Sequence, residues 1–159
     1  MMKPDPTAEH RWLQRMLGEW SMEGSCNMGP DQPAATTTAR ETVRALGDLW
    51  IMGESRGEMP GGGEASNVMT LGYDPAKGRF VGSFVSSAMP NLWVYEGSLA
   101  GEVLTLDCEG PDFANPGKTA AYQDIMEIVS GDHRILRSRL KMPDGQWVPI
   151  MEAHYRRAG

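Results

Sequence analysis

A chain of 159 residues with fifteen Lys and Arg against twenty-one Asp and Glu carries a formal charge of -6, which offers a nucleic-acid backbone no net attraction. It is long enough to bury one core without disulfides or metal, and its two cysteines, Cys26 and Cys108, make neither a metal-finger spacing nor a disulfide framework. No apolar run approaches the length that spans a membrane, and the N-terminal residues lack the apolar centre of a secretory signal, so a cytoplasmic protein is expected.

Asp5-Pro6-Thr7 supplies a cap and a proline suited to a first helical turn. Trp12, Leu13, Met16 and Leu17 then share one face, predicting a short helix over about residues 6–17 that needs a surface to pack on. Gly18 ends it. Beyond it Trp20, Met22, Gly24, Cys26 and Met28 alternate with Ser21, Glu23, Ser25 and Asn27, the period of a strand wet on one side.

Nine further strands are predicted, at 36–46, 49–59, 65–73, 79–87, 92–99, 103–109, 119–129, 134–142 and 147–157. Turn chemistry separates them: Gly29-Pro30-Asp31-Gln32-Pro33, Gly47-Asp48, Pro60 to Gly63, Asp74-Pro75-Ala76-Lys77-Gly78, Met89-Pro90-Asn91, Ala100-Gly101, Ser130-Gly131-Asp132 and Pro143-Asp144-Gly145. The longest irregular stretch, 110–118, is a candidate rim loop. Parallel neighbours need a crossover of about a dozen residues, usually a helix. These connections are too short for that, so an up-and-down meander follows, and closing it removes both hydrogen-bonding edges. The expected fold is an all-β, up-and-down antiparallel β-barrel of about ten strands, a single domain over 1–159 with its barrel at 18–157 and a cavity inside.

Gly18-Glu19-Trp20, opening the first strand after a short helix, resembles the calycin and lipocalin signature, in which the Trp closes one end of a barrel. More of the chain, from Trp12-Leu13 through Gly57-Glu58-Met59-Pro60-Gly61-Gly62-Gly63, Met69-Thr70-Leu71-Gly72-Tyr73-Asp74-Pro75, Trp93-Val94-Tyr95-Glu96-Gly97 and Ala153-His154-Tyr155-Arg156-Arg157, resembles a bacterial family known as domain of unknown function 1579. That resemblance implies a single calycin-like barrel and no particular reaction. The glycines and Trp at Gly18, Trp20 and Gly24, with a His in the last strand, are distantly similar to the nitrobindins, which implies haem held through His154. By resemblance to lipocalins, Arg156 or Arg157 is expected across the face of Trp20.

No Gly-x-Ser-x-Gly, His-Glu-x-x-His or Cys-x-x-Cys occurs, so catalysis has little to rest on, and His10, His133 and His154 fall in a helix, a turn and a strand rather than in a metal set. Gly61 to Gly63 lack the Lys-Ser/Thr of a phosphate loop and read as a hairpin tip. Phe84, Trp93, Tyr95 and Tyr122, with Trp20, are the expected lining of a pocket, since core and pocket wall are one surface in a barrel. Twelve Met suit a wall that repacks around an irregular guest.

Glu54, Arg56 and His154 are candidates to orient the polar end of a ligand, Arg56 as a two-point partner for a carboxylate. The plainer account makes Glu54 and Arg56 part of a solvated charged stripe and turns His154 to solvent. The leading functional expectation is a barrel for a small, largely apolar molecule with a polar or acidic end and no cofactor or metal. The alternatives are a haem barrel using His154 and a non-catalytic module that homodimerises through an aromatic outer face.

Overall fold

The computed structural model describes residues 2–27, 31–59 and 61–158. The readings made for Met28 and for the turns at Gly29-Pro30 and Pro60 lie outside them.

Helix α1 (Ala8–Gln14) is shorter than expected, because Arg15, Met16 and Leu17 continue it as tighter turns with amides bonded to Trp12, Leu13 and Gln14 carbonyls. Its start is a capping box. The Thr7 hydroxyl accepts from the His10 amide while the Thr7 amide donates to His10 Nδ1 at 2.8 Å. Nδ1 therefore carries no proton, so Nε2–H donates to the Tyr73 carbonyl at 2.9 Å and ties the helix to the barrel. Gly18 follows with φ +126°, a conformation that favours glycine, and the Arg157 guanidinium approaches so closely that a Cβ there would stand 2.6 Å from Nη1.

Ten antiparallel strands follow: β1 (Gly18–Cys26), β2 (Ala35–Leu46), β3 (Trp50–Glu58), β4 (Glu64–Asp74), β5 (Arg79–Ser86), β6 (Met89–Ala100), β7 (Val103–Pro111), β8 (Thr119–Ser130), β9 (His133–Lys141) and β10 (Trp147–Arg157). Each pairs with its sequence neighbours and β10 returns to β1, with Met22 opposite Tyr155, so the barrel is closed. One strand starts elsewhere than the sequence suggests. Met89-Pro90-Asn91, expected as a turn, belongs to β6, and the turn is the shorter Ser87-Ala88. Pro90 is tolerated in a stretch of β6 that has no partner in β7, since the pairing of those strands begins only at Glu96 opposite Asp107.

Inward and outward faces alternate along the strands, interrupted by bulges between Phe84 and Ser86, Ile128 and Ser130, and Pro149 and Met151. The half beside α1 is packed solid by Trp12, Leu13, Met16 and Trp20 from the helix end, meeting Leu71, Phe80, Leu104 and Leu106 of the wall. What remains is a void of about 20 Å³ between Met16, Val43, Ile51 and Met126, room for one water at most, and an opening of about 160 Å³ beside the helix end between Arg15, Met16, Trp20, Ile128 and Arg134. The enclosed cavity expected here is thus reduced to that small void, because Trp12 of the helix and Trp20 of β1, with Leu13 and Met16, fill the lumen.

Candidate functional site

The opposite half differs. Met22 and Cys26 on β1, Met69 on β4, Phe84 on β5, Leu140 on β9 and Met151 on β10 share the inward parity of the core yet remain partly exposed. Beside them the wall parts between β6 and β7, whose pairing stops at Glu96 and Asp107, and a groove of about 570 Å³ runs along that gap past Gly82, Tyr95 and Cys108. This end is the open mouth of the barrel, above the packed layer of Leu106, Met126 and Leu136.

Four of the expected lining residues meet on one side of that mouth. Phe84 stands opposite Trp93 across β5 and β6, and Trp93 meets Tyr122 of β8 edge to face, with ring centroids 4.9 Å apart. Trp93 is 9% exposed, Tyr122 5% and Tyr95, one step deeper, 2%. Trp93 reaches Tyr122 across β7 because Gly110 presents no side chain between them; a Cβ there would stand 2.1 Å from the indole.

The other candidates stand elsewhere. Trp20 is inside but at the sealed end, 2% exposed, its indole N–H donating to the Met16 carbonyl at 2.9 Å. Arg157 crosses its face at 4.3 Å, as the lipocalin resemblance implies, and Arg134 lies 4.7 Å from the same ring. Glu54 and Arg56 are on the outer wall, because Ile51, Gly53 and Ser55 take the inward parity of β3. There Glu54 pairs with Arg44 and Arg56 with Glu64, all solvent-exposed. The polar lumenal wall expected of them is corrected to the solvated charged stripe.

His154 is also outside, because Ala153 and Tyr155 face in. Its Nδ1 meets His133 Nε2 at 2.9 Å and its Nε2 meets Glu152 at 3.0 Å. Both ring nitrogens are engaged, and the ring borders a shallow hydroxyl-rich groove with Ser21, Glu23, Thr36 and Thr38. A haem needs a free imidazole nitrogen facing an apolar slot. His154 offers neither, so the haem reading does not fit these residues. Among the described residues no group of three or more His, Cys, Asp or Glu is placed to hold a metal ion.

Three charged groups lie inside that sequence reasoning did not assign to the lumen. Arg134 of β9 is 3% exposed and pairs with Glu41 of β2, its guanidinium 3.9 Å from the Tyr155 ring. Asp124 of β8 sits higher, at the floor of the cup, accepting from the Tyr95 hydroxyl and from Ser138 Oγ at 2.6 Å. Burial raises its carboxyl above the ordinary range, against the lowering pull of those two hydroxyls. Beside it the Cys108 thiol is pushed up to about 12 by burial and by the charge of Asp124, so it stays protonated and unreactive.

Residues 5–157 match one family along almost the whole chain. The chain belongs to the family described as Protein of unknown function (DUF1579). The comparison with curated proteins finds no match.

Among solved structures, the DUF1579 barrel is similar to Rv2717c from M. tuberculosis, at 14% identity and a TM-score of 0.64, covering 98% of this chain and 100% of that one. It is also similar to the S-type phycobiliprotein lyase CPES from Guillardia theta, at 15% identity and a TM-score of 0.61, covering 96% and 94% of the two chains. A redesigned β-barrel, mFAP0, solved bound to DFHBI, matches at 10% identity and a TM-score of 0.52 over 91% and 100%. At these identities the likeness is one of fold. No helix among the described residues is long and apolar enough to cross a membrane.

The inner site of the DUF1579 barrel was partly signalled in its sequence. Tyr122, Asp124, Met126 and Ile128 alternate on one face of β8, and a carboxylate inside an otherwise apolar face is itself the signal that Asp124 is a lumenal group. Met22, Met69 and Met151 carry no such mark. Only the register places them at the mouth.

Proposed function

We propose that this barrel is a binding protein for a small, largely apolar molecule, held in the half of the lumen opposite α1. The observation that carries the reading is that Met22, Met69, Phe84, Leu140 and Met151 share the inward parity of the core yet stay part-exposed towards the end opposite α1. Evolution of a core alone gives no reason to leave Met22, Met69, Phe84 and Met151 wet, whereas a guest lying on them would complete their burial. Flexible thioethers around a rigid aromatic side formed by Phe84, Trp93 and Tyr122 suit an irregular or planar guest. Barrels of the same fold that hold DFHBI, and a phycobiliprotein lyase, are in keeping with this use of the architecture.

The polar end of the guest meets the floor, where Asp124 and Ser138 are the polar groups, and a side where Asn67 donates to Ser55 at 3.1 Å. Glu54, Arg56 and His154, being outside, take no part. The neutral fluorophore N-phenyl-1-naphthylamine tests the reading. Saturable enhancement of its emission and a rise in unfolding temperature are expected, with Phe84→Ala and Met69→Trp each weakening binding, the first by lost contact and the second by filling the cup. Burial of a Phe ring is worth about 1.5–3 kcal/mol, so Phe84→Ala should cost roughly tenfold or more. Absence of saturable binding, or binding indifferent to both substitutions, overturns it.

A further inference from the structure

The lumen holds one carboxyl group with no counter-charge. Asp124 is bonded only to hydroxyls, Tyr95 on β6 and Ser138 on β9, and makes no ion pair among the described residues. The nearest inward-facing cation, Arg134, is committed to Glu41. A carboxylate taken from water without a cation is costly, and a core needs no such group here, since a Leu or Met in its place would pack as its neighbours Met126 and Leu136 do. Asp124 also lies where the packed floor meets the wet half of the cup, with Ser138 part-exposed beside it. Its two hydroxyl partners occupy one site on each carboxylate oxygen and leave lone pairs for a further donor.

From this placement we infer that the guest is a lipophilic amine: its protonated nitrogen supplies the cation that Asp124 lacks, while its apolar body rests on Met22, Met69, Phe84 and Met151. The inference rests on the binding reading above and reverses the sign of the polar end expected from sequence. A carboxylic acid would bring a second negative charge to Asp124 and find no unpaired lumenal cation to meet it.

The groups facing Asp124 from neighbouring strands are Tyr95 on β6, Cys108 on β7, Ser138 on β9 and Tyr155 on β10, with the Glu41–Arg134 pair beneath. Burial holds the two phenols and the thiol protonated across the working range of pH. Asp124 is therefore the group on this face whose charge a protonated amine would meet.

The test displaces bound N-phenyl-1-naphthylamine from the full chain with decylamine, decanol and decanoate. Decylamine is expected to displace at a concentration at least tenfold lower than decanol, with decanoate weakest, and Asp124→Asn is expected to bring amine and alcohol level. Should that variant fail to fold, Asp124→Leu keeps the test: it must abolish the preference for amine over alcohol, and a preference that survives overturns the inference. Equal displacement by amine and alcohol, or preference for decanoate, overturns the amine while leaving the cup intact. Failure of the fluorophore itself to bind removes both.

Discussion

The indole of Trp93 fills the space that a side chain at Gly110 would need, a methyl group there standing 2.1 Å from ring carbon Cζ3. The two residues would face each other if the β6–β7 ladder ran on past Glu96 and Asp107, where its pairing stops. Trp93 instead leans over the bare backbone to reach Tyr122, and its indole N–H finds Met89 Sδ at 3.2 Å. Gly110→Ala is accordingly expected to destabilise the fold by about 1–3 kcal/mol, the usual cost of overpacking. Urea denaturation followed by tryptophan emission measures it, and Trp93→Leu in the same chain should recover part of the loss.

Arg157 is the tie between the last strand, the first strand and the helix end. Its guanidinium donates to the Leu17 carbonyl at 2.6 Å, the Arg15 carbonyl at 3.0 Å and the Gly131 carbonyl at 2.7 Å while covering Trp20. Arg157→Ala should cost roughly 2 kcal/mol from lost hydrogen bonds and ring contact. Arg157→Lys should recover little of it, because one ammonium cannot serve three separated carbonyls. Thermal unfolding of the three proteins side by side gives the comparison.

The Glu41–Arg134 pair is buried, with side chains 11% and 4% exposed. Removing one partner strands a charge, so Arg134→Met is expected to cost about 3–5 kcal/mol, whereas a chain carrying both Glu41→Gln and Arg134→Met should lie much closer to wild type. A double-mutant cycle in urea reads the coupling; additive losses would mean that the two groups act independently.

Asp124 gives the stability a pH dependence of defined sign. Its folded carboxyl titrates above the ordinary 3.8 because burial opposes its charge. A raised folded value means that the group's contribution is fully present below the unfolded value and is lost as pH rises through the folded one. Wild type should therefore lose ground against Asp124→Asn as pH increases from about 4. Urea midpoints of both proteins across pH 3.5 to 7.5 test this, and a constant difference would contradict it.

Strand number, antiparallel order and closure were legible in the sequence, because period-two alternation and turn chemistry are local and short connections leave no route to parallel pairing. The stacking of an arginine from the last strand on Trp20 was implied by the lipocalin resemblance, and closure brings the two strands together for it. The parity of β3 could not be read, because Glu54 and Arg56 alternate with Ser55 and Gly53, and neither face is apolar enough to declare itself. Nor could the sequence say that the N-terminal helix would fill one half of the lumen, or that Asp124 and Ser138, on different strands, would meet at its floor. Those relations are set by register and by how far a helix intrudes into a closed wall, distances that no stretch of chain encodes alone.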